Sequence, residues 1–319
     1  MDLAAPSSVL RPLGLGEILD RAVTLSVRRF PLFAAIRVLF QAPYAIAQYE
    51  FNRGSYQMLG ALLPTAGKPA DPAAMRAILV QNHPSQVFGV IVLVAMLAVP
   101  PIFAALTYAV SAAYLGRNPT FNEAIRAGVS RWLPLLGVYF FLLVAAVMAN
   151  VALALSAVVV VLGVAGLAAG SKVLAVIIGG VLGVAAFALV VVAFTLLLVV
   201  MQIATFICVV EGAGPLSALR LAVRRVLGSI GIPRSVLFGL IYSLIALGGA
   251  IVAALGAAAL VTLVRSVALS LAFTSLVNIA LAIFLTTVVG IYYFDLRVRE
   301  EGLDLELAAQ SLTPEGDTP

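Results

Sequence analysis

The run LPLLGVYFFLLVAAVMANVALALSAVVVVLGVAGLAAGSKVLAVIIGGVLGVAAFALVVVAFTLLLVVMQIATFICVV occupies residues 133–210 and is interrupted only by Gly170, Ser171 and Lys172. About 20 apolar residues cross the hydrocarbon of a bilayer as α-helix, so lipid is the solvent this segment is built for. At ~1.5 Å per residue its length admits three spans. An odd number, however, would move the arginine-rich connection at 211–234 to the opposite side of the membrane. Two long helices meeting near Ser171 satisfy both constraints if they tilt, kink or project beyond the bilayer. Gly179, Gly180 and Gly183 are the expected place for a bend or a close helix contact, and Gly166 and Gly170 form a second pair of small residues at helical spacing.

Outward from this run, apolar segments fall at about residues 30–51, 86–116, 235–264 and 267–294. With the two halves of the central run they predict an all-α, polytopic transmembrane bundle of six spans. The composition agrees, with mean hydropathy +1.15, 63% hydrophobic residues and only 10% charged. A soluble domain carries about 25% charged residues, so a water-soluble fold is excluded. A single integral domain is expected over residues 1–310, with a disordered acidic tail at 311–319 that holds too little apolar surface to fold. The connection from Phe51 to Pro84 reads as an external loop with at most one short helix. The first 29 residues lack the pattern of a cleaved signal peptide.

The basic residues set the orientation. Arg11, Arg21, Arg28, Arg29, Arg117, Arg126, Arg131, Arg220, Arg224, Arg225, Arg234, Arg297 and Arg299 collect on one side; Arg53, Lys68, Arg76, Lys172 and Arg265 fall on the other. The positive-inside rule makes the first side cytoplasmic, with both termini there. Net charge is +5, but the arginines are spread through short connections, which makes nucleic acid a poor partner and anionic lipid headgroups a good one. Usage of arginine, alanine and valine points to the cytoplasmic membrane of a prokaryote.

Three segments on the basic side resemble one another. They are Gly16-Glu17-Ile18-Leu19-Asp20-Arg21-Ala22-Val23, Asn122-Glu123-Ala124-Ile125-Arg126-Ala127-Gly128-Val129 and Leu216-Ser217-Ala218-Leu219-Arg220-Leu221-Ala222-Val223. Aligning Glu17, Glu123 and Ser217 matches apolar positions throughout and predicts three repeats, at about 14–116, 118–210 and 214–300. In the first copy Glu17, Asp20, Arg21, Thr24 and Arg28 share one helical face, and Leu19, Ala22, Val23, Val27 and Phe30 the other. The second copy opens with the capping pattern Thr120-x-x-Glu123, and the third with Gly214-Pro215. The expectation is a pseudo-threefold bundle with three amphipathic helices at the cytoplasmic interface. One reading is that they anchor the spans with arginines at lipid phosphates. The other is a basic vestibule for an anionic headgroup or solute, lined by Arg126, Arg131, Arg220, Arg224 and Arg225.

Charges inside lipid are expensive and are therefore candidates for function. Arg37 lies about two turns into the first span, with Gln41 and Gln48 able to share its face. Arg37 either snorkels to headgroups or pairs with Asp20 or Asp295, or else it binds substrate or lipid phosphate with Gln41 beside it. Asn150, Gln202, Thr205, Asn278, Thr286 and Thr287 are expected to make interhelical hydrogen bonds of about 0.6 kcal/mol each. Pro100-Pro101 breaks the backbone ladder of the second span, which predicts a kink and freed carbonyls. Asp295 is expected to pair with a cytoplasmic arginine. Cys208, the single cysteine, reads as a buried small hydrophobe. With one histidine, His83, in the external loop, neither a metal site, a cofactor loop nor a nucleophile with its base is expected.

Pro12-Leu13-Gly14-Leu15-Gly16-Glu17-Ile18-Leu19-Asp20-Arg21-Ala22, Glu211-Gly212 with Pro215-Leu216-Ser217-Ala218-Leu219-Arg220, and the stretch from Tyr292-Tyr293-Phe294-Asp295-Leu296-Arg297 to Glu306 resemble bacterial and archaeal membrane proteins related to the membrane domain of glycerophosphoryl diester phosphodiesterases. The resemblance covers residues 10–307. It implies the six-helix architecture and no catalytic residue, since hydrolysis in those enzymes belongs to a separate soluble barrel for which these 319 residues leave no room. The functional expectation is a non-enzymatic scaffold or accessory protein that binds lipid or a partner. The alternative is a transporter or channel for an anionic or amphipathic solute.

Overall fold

The computed structural model describes residues 11–39, 41–43, 45–46, 86–141, 143, 144, 147, 148, 151, 154, 171–228, 231–264 and 266–302. The expected external loop, the acidic tail, Gly166 and Gly170, Gln48 and Asn150 lie outside the described residues. Every element is helical, and no strand occurs among the described residues. In chain order these are α1 (Leu15–Arg28), α2 (Phe30–Leu39), α3 (Gln86–Tyr114), α4 (Phe121–Ser130), α5 (Trp132–Phe141), α6 (Lys172–Phe206), α7 (Pro215–Leu227), α8 (Gly231–Leu263) and α9 (Val267–Glu301). A π-helical turn, Ile207–Glu211, continues α6 and stops at Gly212, whose φ of 74° is open to glycine at little strain.

Three of these helices are long and apolar enough to cross a membrane: Ile178–Glu211, Ile232–Leu263 and Ala268–Glu301, with mean hydropathy 3.0, 2.4 and 2.2. Only 6% of the most apolar window of α8 is buried inside the protein. Its leucines and isoleucines thus face outward, the inverse of a water-soluble helix and the arrangement lipid favours. At ~1.5 Å per residue each is longer than a hydrocarbon core of about 30 Å, so some turns extend past it.

Outward-facing side chains give way to buried ones toward one end of the bundle, in α3, in α6 and over the longest stretch in α9. Residues 285–296 are buried on every side, which places this helix at the centre. Three consecutive aromatic residues, rotated about 100° from one to the next, each meet a different neighbour. Tyr292 stacks on Phe238 of α8 with ring centres 3.7 Å apart and planes at 8°. Tyr293 meets Phe206 of α6 at 5.5 Å, and Phe294 stacks on Tyr114 of α3 at 5.2 Å. Such pairs contribute about 0.5–1.5 kcal/mol beyond their buried area.

The expected helix starts are present. Thr120 accepts from the Glu123 N–H at 3.3 Å while the Glu123 carboxylate accepts from the Thr120 N–H at 2.9 Å, and Gly214 caps α7 with Pro215 in its first turn. α1 and α4 end alike, at Arg29 (φ −110°, ψ 14°) and Arg131 (φ −104°, ψ 8°), and each is followed at once by a second helix. The apolar face of α1 divides between the bundle and the outside. Ile18, Ala22 and Ser26 point inward, whereas Val23, Val27 and Phe30 point away from the bundle.

Two backbone expectations meet the structure differently. The freed carbonyl expected at Pro100-Pro101 is present within α3, which is helical through Gln86–Tyr114. Pro101 has no N–H for the carbonyl of Leu97 one turn back, and the indole Nε1–H of Trp132 donates to that oxygen at 2.9 Å instead. Gly180 and Gly183 make no close helix contact among the described residues, where a Cβ at either would meet nothing within 4 Å. Close approach occurs instead at Gly290, where a Cβ would lie 2.8 Å from Val110 Cγ1 of α3 and 3.0 Å from Phe206 Cε1 of α6.

Gly290→Val is expected to lower stability by about 1–3 kcal/mol through overpacking, read as a lower midpoint of thermal unfolding in detergent. Gly183→Val is expected to leave the midpoint unchanged, because its side chain enters open space.

Candidate functional site

The last two turns of α9 carry Asp295, Arg297, Arg299, Glu300 and Glu301 beyond the apolar stretch that ends near residue 294. The helix survives there because the charges pair one turn apart, Arg299 Nε with Asp295 at 3.1 Å and Arg297 Nε with Glu301 at 2.9 Å. From these turns two ion networks extend across the end of the bundle.

The first centres on Asp295, whose side chain has no exposure. A carboxylate in that position requires partners for its charge and lone pairs. It accepts from the Leu13 backbone N–H at 2.7 Å, from Arg234 Nη2 at 2.7 Å and from Arg299 Nε at 3.1 Å. The Leu13 carbonyl closes the circuit by accepting from Arg234 Nη2 at 2.6 Å and Arg299 Nη2 at 2.9 Å. One peptide segment ahead of α1 is thus tied to α8 and α9, with the Leu13 side chain buried beneath it. The expected pairing of Asp295 with an arginine is present, and the arginines are Arg234 and Arg299, not Arg37.

The second network centres on Arg225 of α7, whose side chain is 3% exposed. Its Nη1 and Nη2 donate to the two oxygens of Glu211 at 2.5 and 3.2 Å, and its Nε donates to Glu301 at 3.1 Å. Arg225 Nη2 also pairs with Glu301. The Tyr293 hydroxyl donates to Glu211 at 2.5 Å, and the guanidinium lies 5.8 Å from the centre of that ring. Burial alone would pull the Arg225 pKa down. The hydrogen bonds and charges of Glu211 and Glu301 outweigh it and hold the pKa above its ordinary value, so Arg225 is a fixed cation.

The expected vestibule of Arg126, Arg131, Arg220, Arg224 and Arg225 is not assembled as one surface. Arg225 faces into the protein, while Arg220 and Arg224, on the opposite side of α7, are exposed. The reason is helical geometry: Arg225 follows Arg224 by 100°, enough to carry it from the outer to the inner face. Arg126 is exposed on α4, and Arg131, half-buried, donates to the Gly212 carbonyl at 3.4 Å. Arg37 and Gln41 are both buried, on α2 and in the following turn, and the Arg37 guanidinium lies 5.0 Å from the Phe103 ring of α3.

Of the polar residues expected between helices, Gln202 Nε2 reaches the Tyr242 hydroxyl of α8 at 3.2 Å. Thr205 hydrogen-bonds with Tyr139 of α5 and also donates to the Met201 carbonyl of its own helix, whereas Thr287 donates within its own helix to the Ile283 carbonyl one turn back. Cys208 is buried as expected. Among the described residues no group of three or more histidine, cysteine, aspartate or glutamate side chains is placed to hold a metal. No protein-family model, curated protein or solved structure matches the chain.

Removing one partner from a buried ion pair leaves an uncompensated charge. Asp295→Ala is therefore expected to lower stability by about 3–5 kcal/mol. Arg11→Ala, which deletes a pair with Glu17 whose arginine is 59% exposed, is expected to change it by about 0–1 kcal/mol. Thermal unfolding of the two variants in detergent compares them directly.

Proposed function

We propose that this chain is a six-span, non-enzymatic protein of a prokaryotic cytoplasmic membrane, with both termini in the cytoplasm, and that it acts as a lipid- or partner-binding scaffold. The observation that carries the reading is the matching roll of the three short helices. At aligned positions Ile18, Ala124 and Ala218 are buried, as are Ala22, Gly128 and Ala222. Val23, Val129 and Val223 are exposed at 49%, 60% and 38%, and Val27, Leu133 and Leu227 at 71%, 73% and 43%. Helices that bury small residues on the bundle and turn valine and leucine outward are suited to lie at a lipid interface. That common pattern supports the three repeats.

The two ion networks join segments from the start of the chain, the turn after α6, the end of α7, the start of α8, and the end of α9. Their arginines therefore share one end of the bundle, which supports placing that end on the cytoplasmic side. The motifs that resemble the membrane domain of glycerophosphoryl diester phosphodiesterases meet there too, through Leu13, Glu211, Tyr293 and Asp295. Relationship to that family is part of the proposal.

A second reading, a transporter or channel for an anionic or amphipathic solute, is favoured by the burial of Arg37 and Gln41 along α2.

Topology is tested in a Cys208→Ala background. A membrane-impermeant thiol reagent is expected to label His83→Cys in intact cells, and Asn118→Cys and Ser217→Cys only after permeabilisation. Labelling of all three from the same side would sink the six-span reading.

Function is tested by native mass spectrometry of the detergent-purified protein together with flux assays in reconstituted vesicles. The scaffold reading expects retained membrane lipid, in wild type and Arg37→Ala alike, with no flux across a panel of anionic solutes. Flux that disappears in Arg37→Ala would transfer the case to the transporter.

A further inference from the structure

We infer that the outer faces of α4 and α7 select anionic phospholipid headgroups, with Arg126 on α4 and Arg220 and Arg224 on α7 as phosphate ligands, whereas the equivalent face of α1 has no such preference. This rests on the interfacial reading of the three short helices above and adds the lipid class and the ligands.

The three helices share their inward and outward positions, so the chemistry of the outer face is set by whatever stands beside the exposed valines. Three positions after the aligned Glu17, Glu123 and Ser217 stand Asp20, Arg126 and Arg220, all exposed. On α7 the outer face combines Leu216, Val223 and Leu227 with Arg220 and Arg224, one turn apart. The helix contains no acidic residue, and its third arginine, Arg225, is committed inward to Glu211 and Glu301.

On α4 the outer face combines Val129 with Arg126, and Leu133 and Trp132 extend it into α5. Its one acid, Glu123, points its carboxylate at the helix start, where it accepts from the Thr120 N–H and offsets the positive end of the helix dipole. α1 is built differently: Arg21 is held by Glu17, and the exposed Asp20 is balanced by the exposed Arg28 two turns on.

Apolar side chains flanked by guanidinium groups fit the boundary between acyl chains and phosphates. There the apolar groups sink in, while arginine stems reach up to the headgroup oxygens. An excess of positive charge on such a face adds attraction to anionic lipid of about fivefold per residue, equivalent to ~1 kcal/mol. A balanced face like that of α1 gains none.

Trp132, the single tryptophan and 38% exposed beside Val129 and Leu133, is a built-in reporter for α4. The protein is placed in nanodiscs of equal parts phosphatidylglycerol and phosphatidylcholine, with the acyl chains of one or the other lipid brominated. Brominated phosphatidylglycerol is expected to quench Trp132 as though enriched about fivefold, and Arg126→Gln is expected to abolish the difference.

For α7, native mass spectrometry is expected to show loss of bound phosphatidylglycerol in the Arg220→Gln/Arg224→Gln variant and full retention in Asp20→Asn. The α7 variant keeps its Trp132 quenching, which shows that it is folded. Equal quenching by the two lipids, or a preference that survives Arg126→Gln, overturns the assignment on α4. Undiminished lipid retention in the double variant overturns it on α7. Either result leaves the interfacial reading standing. Quenching by neither lipid would remove α4 from the interface and take that reading with it.

Discussion

The carboxylate of Asp295 has no exposure, and the assembly of one end of the bundle depends on that buried charge. An unpaired carboxylate in this position would cost several kcal/mol, so the structure must deliver donors to it from wherever the chain can supply them. It does so from three places, two of them distant in sequence: a backbone N–H before α1, Arg234 at the start of α8, and Arg299 one turn along α9. The arginines in turn satisfy the Leu13 carbonyl, which fixes the path of the chain into α1.

α9 performs two jobs in succession along its length. Through Tyr292, Tyr293 and Phe294 it gathers α8, α6 and α3 by aromatic contact. One turn later it gathers the segment before α1, α7 and the π-helical turn by charge, through Asp295 and Glu301. Tyr293 belongs to both regimes, since its ring packs on Phe206 while its hydroxyl bonds Glu211. Backbone accounting links the second and third pairs of elements in the same spirit. The donor that Pro101 lacks is replaced, at the Leu97 carbonyl, by Trp132 from the start of α5.

Much of this was legible in the residues themselves. The lengths of α3, α6 and α9 follow from apolar runs whose first residues, near 86, 172 and 267, match the helix starts. The caps at Thr120 and Gly214 follow from local side-chain chemistry alone. The end of α9 was read seven residues short, because Arg297, Arg299 and Glu301 look like the end of an apolar helix until their pairing is seen. The glycines at 180 and 183 have the spacing of a helix contact but no described helix against them, whereas Gly290 shows no motif and is tightly enclosed. Spacing states which face a residue lies on, and only packing states what lies opposite.

The sequence by itself determined that the chain is helical, that its apolar runs are long enough to cross a membrane, and that arginine gathers in particular connections. Those properties depend on hydropathy and helical period, which are local. The tertiary structure decided which arginines are structural and which are exposed. Arg225 and Arg224 are neighbours of identical chemistry, yet one is locked between Glu211 and Glu301 and the other faces outward. The difference comes from a single 100° step around α7 together with carboxylates brought from two other elements, and no local pattern contains their arrival.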